Sequence, residues 1–163
     1  MEDNLHATAC NDPAAAANVT FFSDLVRCET RLYNMLNDLQ RSRHGIAASQ
    51  FEFLRHLRGH PGARVADLAE FFAIGVGATS KGIDRLEGRG WVRRIPNPAD
   101  RRSSLLELTD AGRALVDDAE TTFAAITELI QAVLEPAQFD AAADALRTLR
   151  TALERDKIGN PVG

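Results

Sequence analysis

The most chemically informative part of the sequence is a basic segment between Lys81 and Arg102. It contains seven basic and three acidic residues, a net charge of +4, whereas the rest of the 163-residue chain carries −8 and the whole chain −4. The basic residues are Lys81, Arg85, Arg89, Arg93, Arg94, Arg101 and Arg102. A local basic strip attracts a polyanion even on an acidic protein, because the local field steers the encounter. The segment therefore predicts a contact with nucleic acid.

Two short helices joined by a tight turn are predicted at the start of this segment. The apolar spacing indicates one helix over 65–72 and a second over 76–89, separated by Ala73-Ile74-Gly75. A helix-turn-helix of this kind lays its second helix in the major groove of DNA, where only the first turn or two reach base edges. The predicted DNA contacts in this helix are Gly77, Ala78, Thr79, Ser80, Lys81 and Arg85.

A β-hairpin with a charged tip is predicted next. Two β-prone runs, 91–95 and 104–108, flank a Pro- and Asn-containing link that ends in two arginines. Arg101 and Arg102 at the tip of such a wing can enter the minor groove, where the negative potential favours guanidinium groups. Asp100 is predicted to structure the wing by pairing with Arg102 and fixing the direction of its side chain.

The remaining arginines leave two interpretations open. Arg93 and Arg94 point to opposite faces of the first wing strand, so at most one is expected to meet the DNA backbone, and Arg94 is included among the predicted contacts. Lys81, Arg85 and Arg89 have the i, i+4, i+8 spacing of one helix face, which also fits a merely solvated surface.

Long amphipathic helices flank this module on both sides. The apolar residues predict helices over 19–43, 48–57, 110–135 and 139–153, and residues 1–18 are expected to form a mobile arm. The small middle module cannot cover the apolar stripes of the terminal helices. A homodimer with twofold symmetry would bury them, and an antiparallel bundle within one chain is the alternative.

The predicted fold is mainly α with a small β-hairpin wing, a winged helix-turn-helix with long N- and C-terminal dimerisation helices. After the arm, residues 19–163 are expected to form one domain. Within it, 46–109 form the winged helix-turn-helix, and 19–45 and 110–155 form the dimerisation helices.

The run from Leu86 to Leu115 resembles the wing signature of the MarR (multiple antibiotic resistance regulator) family of winged helix-turn-helix repressors. The matching elements are D-x-R, at Asp100 and Arg102, and L-T-x-x-G, at Leu108, Thr109 and Gly112. The resemblance covers about residues 19 to 155. It implies a homodimer that binds a pseudo-palindromic operator in double-stranded DNA. It also implies release by a small aromatic, phenolic or carboxylate effector that enters between the dimer and DNA-binding regions.

The sequence departs from this pattern at three positions. Ala73 stands where Gly is common in the turn, and Thr79 and Gly82 stand where the recognition helix usually has aliphatic residues. A glycine inside a helix costs roughly 1 kcal/mol relative to Ala. Because the sequence gives Gly82 no compensating role, we expect a recognition helix that is loosely held without DNA.

Three residues are predicted to contact the effector. Arg27 and Arg31 of the first helix can hold a carboxylate or phenolate bidentately, although solvent is the alternative, and His56 is a second possible contact. Cys28 lies between these arginines and leaves open a redox-sensing regulator, because family members exist that sense oxidants through a cysteine of this helix. We expect instead that Cys28 is packed and inert.

Other function classes lack their signatures. His56 and His60 have a zinc-like i, i+4 spacing, but Gly59 and Pro61 break the helix that would hold them, so no metal is predicted. No nucleophile elbow, phosphate loop or cofactor motif is present, so we expect neither an enzyme nor a cofactor. No membrane span or signal peptide is evident, which favours a cytoplasmic protein. A winged-helix module that binds an acidic protein partner is the alternative function.

Overall fold

A computed structural model describes residues 13–161, which form seven α-helices, one short 3₁₀ helix and one two-stranded antiparallel sheet. The elements in chain order are α1 (Pro13–His44), α2 (Ala48–Gly59), α3 (Val65–Phe71), α4 (Val76–Gly88), β1 (Val92–Pro96), β2 (Ser104–Leu108), α5 (Asp110–Ala119), the 3₁₀ helix (Glu120–Thr122), α6 (Phe123–Val133) and α7 (Pro136–Arg155). This architecture confirms the predicted helical fold with a hairpin wing. The chain divides into two compact units, one ending at Met35 and the other beginning at Leu36.

The core of the second unit lies where α2 to α5 and the hairpin meet. The apolar side chains at helical spacing in α2, α3 and α4 are buried, as are those that face inward from the strands and from α5. They include Phe51, Leu54, Leu68, Ile83, Leu86, Leu106 and Val116. The strands pair antiparallel from Val92 opposite Leu108 to Pro96 opposite Ser104. This pairing confirms the predicted hairpin and fixes its tip over residues 97–103.

A close backbone contact joins α5 to the start of the wing. The Thr109 hydroxyl donates to the Gly90 carbonyl at 2.6 Å and accepts from the amide of Gly112 at 3.0 Å, and the Thr109 amide donates to the Trp91 carbonyl. A Cβ at position 112 would lie 2.1 Å from the Trp91 carbonyl oxygen. The L-T-x-x-G element therefore has a physical reason, since only glycine fits beneath this carbonyl.

Gly82 also has a packing role that its position in the sequence does not reveal. A Cβ there would approach Cε2 of the Phe53 ring to 2.7 Å, and that ring is itself buried and packed 5.2 Å from the ring of Phe72. The glycine lets α4 lie close to α2. The expectation that Gly82 has no compensating role was therefore wrong, and the mobility of α4 stays a prediction.

The first helix differs from its prediction in two ways. It begins at Pro13 instead of Val19, because Pro is well suited to the first turn of a helix and the following alanines continue it. Only residues 1–12 of the predicted arm lie outside the described part of the chain. Cys28 is a free and exposed thiol on this helix, so the expectation of a packed side chain was wrong.

The helix predicted over 110–135 is interrupted by the 3₁₀ helix Glu120–Thr122. The Thr122 hydroxyl donates to the Ala119 carbonyl at 2.6 Å, and the buried Gln40 amide donates to the same carbonyl at 3.0 Å and to the Thr122 oxygen at 2.7 Å. These side chains compete for the carbonyl with the regular helical amide. The interruption depends on Gln40, which lies 79 residues away from Ala119 in the sequence, so helical periodicity alone could not reveal it.

Several large apolar side chains remain exposed. In α1 they include Val19, Phe22 and Val26, and α7, which contains no buried residue, exposes four more. The exposed residues of α7 are Phe139, Leu146, Leu149 and Leu153. Their spacing places them on one side of α7. None of the helices within residues 13–161 is long and apolar enough to cross a bilayer.

The contact beneath Trp91 predicts a strong effect of a single methyl group. Gly112→Ala should destabilise the folded chain by about 3 kcal/mol, because the added carbon meets a backbone oxygen that cannot rotate away. Gly88→Ala is the matched control. No atom lies within 4 Å of the Cβ position there, so it should be neutral or stabilising by up to about 1 kcal/mol. Chemical denaturation of both variants measures the difference, and equal stability of the two would contradict this role of Gly112.

Candidate nucleic-acid interface

The turn between α3 and α4 sets the direction of the second helix. Ala73 adopts a φ of 50°, in the left-handed region where Gly is more usual, and the amides of Ala73 and Ile74 donate back to carbonyls of α3. Gly75 then caps α4 in an extended conformation without a side-chain cap. The unusual Ala73 is therefore tolerated at a position that requires positive φ, at some cost in strain.

The buried face of α4 excludes one predicted contact. Thr79 is fully buried, and its hydroxyl donates to the Gly75 carbonyl at 3.1 Å. It lies one helical turn before Ile83 on the side that faces the core. The prediction that Thr79 contacts DNA was therefore wrong, because its type suggested a base contact but its phase in the helix turns it inward.

The other predicted residues of α4 lie toward solvent. Gly77, Ala78, Lys81 and Arg85 are exposed, and Ser80 is half-buried. Open space surrounds Gly77, so a ligand backbone can approach the first turn closely. The exposed side of α4 thus presents two small residues, Gly77 and Ala78, one hydroxyl, and two cations, of which Arg85 lies in the third turn.

The wing tip is organised by two short polar side chains. Asn97 accepts from the amide of Ala99 at 3.0 Å and donates to the Ser103 hydroxyl at 2.9 Å. Asp100 accepts from the backbone amide of Arg102 at 3.0 Å and from the Ser103 hydroxyl at 3.1 Å. Asp100 therefore structures the wing through the backbone, and the predicted pairing with the Arg102 side chain was wrong.

This arrangement leaves the two tip arginines available. Arg101 and Arg102 are both exposed, and neither guanidinium forms a hydrogen bond or ion pair within residues 13–161. Because Asp100 is occupied by backbone and hydroxyl donors, it holds the loop without neutralising either side chain by contact. The tip can therefore present two positive charges outward.

The two arginines of β1, unlike those at the wing tip, donate to carboxylates of the protein. Arg93 donates from Nε to Glu107, its cross-strand partner, at 2.8 Å. Arg94 donates to Asp84 at 2.7 Å and to Glu87, both on α4, and its backbone amide donates to Glu87 at 3.2 Å.

The Arg94 guanidinium therefore forms its ion pairs within the protein. Partial burial lowers the pKa of Arg94, but its hydrogen bonds to Asp84 and Glu87 outweigh this effect and raise the pKa above its usual value. With both terminal nitrogens bonded, Arg94 is not presented to DNA as predicted. The pattern of the strand alone could not show this, because the carboxylates that accept from Arg94 lie on α4.

The structure thus separates the basic strip into two groups. Arg93 and Arg94 are paired with carboxylates, and the Arg89 guanidinium stacks 4.4 Å above the Trp91 ring. Four exposed cations have no such partner among the described residues: Lys81, Arg85, Arg101 and Arg102. Two of these lie on α4 and two on the wing tip, so the unpaired positive charge of the basic strip lies on the elements that a winged helix-turn-helix directs to DNA.

The predicted effector residues fall in both units. Arg27 and Arg31 are exposed on α1 in the first unit. In the second unit, His56 stacks on His60 and Phe71 with ring centroids 4.2 Å apart in each case. Burial and the neighbouring His60 lower the pKa of His56, against a smaller opposing effect of Asp67.

These rings line a cleft of about 190 Å³ between α2 and α3. Its walls also include Glu52 and Arg55, which form an ion pair at 3.3 Å. No cluster of three or more metal-ligating side chains occurs within the part of the chain that the structure describes.

The sequence pattern did not reveal the intramolecular partners of the predicted interface residues. Asp84 and Glu87 were counted only as charges that offset the basic strip, and Ser103 was not considered. The sequence did contain a signal for this pairing. Asp84 and Glu87 lie one helical turn apart on the same side of α4, and Arg94 follows on the next strand, close enough along the chain to reach both carboxylates.

Comparison with known proteins agrees with this geometry. The model of the MarR family matches residues 46–104, which is nearly the predicted winged helix-turn-helix. The multiple antibiotic resistance protein MarR of Escherichia coli is 36% identical over 72 residues, 44% of this chain and 50% of that protein. The chain thus spans half the length of the curated MarR proteins that it matches.

Two further similarities extend beyond this module. The uncharacterised HTH-type transcriptional regulator YfiV of Bacillus subtilis is 31% identical over 112 residues, 66% of this chain and 68% of that protein. The structure of Sco3205, a MarR family transcriptional regulator from Streptomyces coelicolor in complex with DNA, superimposes with a TM-score of 0.76 at 25% identity, covering 85% of this chain and 88% of that one. By its wing, its fold and these similarities, the chain belongs to the MarR family.

Proposed function

We propose that this protein is a transcriptional regulator that reads double-stranded DNA as a homodimer. The observation that carries the proposal is the position of the free cations. Lys81 and Arg85 lie on the exposed side of α4, and Arg101 and Arg102 lie at the tip of the adjoining wing. With α4 in a major groove, Gly77, Ala78 and Ser80 approach base edges. The two cations of α4 reach a guanine edge or phosphates, and the wing enters the flanking minor groove.

The exposed apolar surface of the terminal helices supports the proposed dimer. A twofold partner would bury the apolar side of α7 and the exposed residues near the start of α1 without any change in the second unit. Two recognition helices about 34 Å apart would then enter successive major grooves, which requires a pseudo-palindromic operator. Because its partner is chromosomal DNA, we propose a cytoplasmic location for the dimer.

We further propose that the protein represses transcription and is released by a small aromatic, phenolic or carboxylate effector. The cleft around His56 supports such a ligand in the second unit, because its walls are aromatic rings and an Arg55–Glu52 ion pair. The lowered pKa of His56 favours its neutral ring, which can accept a hydrogen bond from a phenol. Arg27 and Arg31 remain proposed effector contacts of the first unit. A ligand acts by favouring a dimer in which the spacing of the two recognition helices no longer matches that of the two major grooves.

Two substitutions separate the role of the wing from that of α4. Arg102→Ala should weaken binding to all DNA sequences and make the dependence of log K on log salt shallower by about 1, since one phosphate-region charge is lost. Ser80→Ala should instead weaken binding at particular base pairs and leave the salt dependence unchanged. The DNA is a duplex recovered from a random-sequence pool by the wild-type protein, and fluorescence anisotropy at several salt concentrations gives both quantities.

The matched control for these variants is Arg155→Ala. It removes the same charge at the end of α7, where Arg155 pairs with Asp156 at 2.7 Å, and it should leave both affinity and salt dependence unchanged. Binding by Arg102→Ala as tight as wild type at every salt concentration would show that the wing does not contact DNA.

The apolar side of α7 predicts the oligomeric state. Leu146→Glu combined with Leu149→Glu should convert the dimer to a monomer, because two carboxylates cannot be buried in an apolar interface without partners. The chain should stay folded, since α7 contains no buried residue. Sedimentation equilibrium gives the mass, with Thr151→Glu on the opposite side of α7 as the control that remains dimeric. A wild-type monomer, or a dimeric double variant, would contradict this interface.

A further inference from the structure

We propose that Arg94 is a positioning residue for DNA recognition, which acts by clamping the recognition helix α4 to the wing through Asp84 and Glu87. This inference rests on the proposed DNA-binding function and assigns a role to three residues that do not themselves contact DNA. We call Arg94, Asp84 and Glu87 the clamp. One cation on β1 and two carboxylates one turn apart on α4 form it.

The hydrogen bonds of the clamp have a defined geometry. Arg94 uses different terminal nitrogens for the two acids, with 2.7 Å to Asp84, and the carboxylate of Glu87 also accepts the backbone amide of Arg94. A planar guanidinium with two separate acceptors fixes both a distance and an orientation, which a single point charge cannot do. The side chain is only 25% exposed, so it is shielded from the solvent that usually weakens surface ion pairs.

The position of the clamp on α4 gives it a functional consequence. Asp84 and Glu87 lie on the flank of the helix between the buried side, with Ile83, and the outward side, with Arg85. A restraint on this flank acts together with the buried contacts of Ile83 and Leu86 to set the rotation of α4 about its own axis. It therefore helps to fix the outward direction of Lys81 and Arg85 and their distance from the wing tip.

The same residues would have the opposite effect if they acted only as charges. Asp84 and Glu87 lie beside a surface that meets a polyanion, so Coulomb repulsion alone predicts that removing either charge tightens DNA binding. If they hold the helix, removing either charge should reduce discrimination between the operator and other DNA. The two explanations thus predict changes of different kinds from the same substitution.

The decisive variants are Asp84→Asn and Glu87→Gln, which keep the shape of the side chain and remove its charge. Each should lower the ratio of affinities for a selected duplex and its scrambled copy by about tenfold or more, the size of one lost base contact. Arg94→Ala should do the same with an unchanged salt dependence. Arg94→Lys should restore the ratio only in part, because an ammonium group cannot hold both carboxylates in a fixed plane.

Arg93→Ala is the matched control, since it removes the adjacent charge of the same strand without a link to α4. It should leave the ratio unchanged. The clamp would be refuted if Asp84→Asn and Glu87→Gln preserved or improved the ratio. It would also be refuted if Arg94→Ala weakened both duplexes equally with a shallower salt dependence and Arg94→Lys restored wild-type binding, because this is the behaviour of a direct phosphate contact.

A second measurement tests the clamp without DNA. Spin labels at Arg85→Cys and Arg101→Cys, with Cys10→Ser and Cys28→Ser, report the distance between α4 and the wing tip by pulsed electron resonance. The distribution should be narrow with the clamp intact and clearly broader in Asp84→Asn and Glu87→Gln. Equal widths would refute the clamp. A wild-type protein that prefers no DNA sequence would refute the proposed function, and the label distances would still decide whether the clamp exists.

Discussion

The interface depends on one close contact, the passage of the Trp91 carbonyl over Gly112. This contact and the hydrogen bonds that join Thr109 to Gly90, Trp91 and Gly112 tie the end of α4, the first strand of the wing and the start of α5 at one point. Since α4 leads into β1 within four residues, any loosening there would move the wing relative to the recognition helix. In the proposed recognition of DNA, the free cations depend on this junction and on the proposed clamp, which hold their elements in a fixed relation.

The division of charge explains how an acidic protein can carry the proposed DNA-binding surface. Carboxylates of the second unit pair with arginines that serve the fold, such as Arg58 with Asp117 and Arg93 with Glu107. At the tip of the wing, Asp100 is engaged by an amide and a hydroxyl, so it does not pair with its arginine neighbours. The net charge of the chain is therefore a poor guide to its partner, whereas the pairing of each cation is informative.

Much of the fold could be predicted from sequence because its signals are local. The break at Ala73-Ile74-Gly75 precedes α4, and Pro96 ends the first strand of the wing. The D-x-R element marks the tip of the wing, and the L-T-x-x-G element marks its junction with α5. The errors have long-range causes. The inward phase of Thr79, the contact of Gly82 with Phe53 and the interruption of α5 by Gln40 all depend on elements that pack from elsewhere in the chain. Arg94 was misassigned for the same reason.

The central claim is that the chain reads DNA sequence, and a titration of the wild-type protein tests it most directly. The DNA is the fragment upstream of its own gene, compared with a scrambled copy at several salt concentrations. The account predicts binding to the native fragment tighter by ~10³ or more, with a steep dependence on salt. Equal binding to native, scrambled and pool-selected duplexes would contradict it, and would favour an acidic protein partner for the same surface.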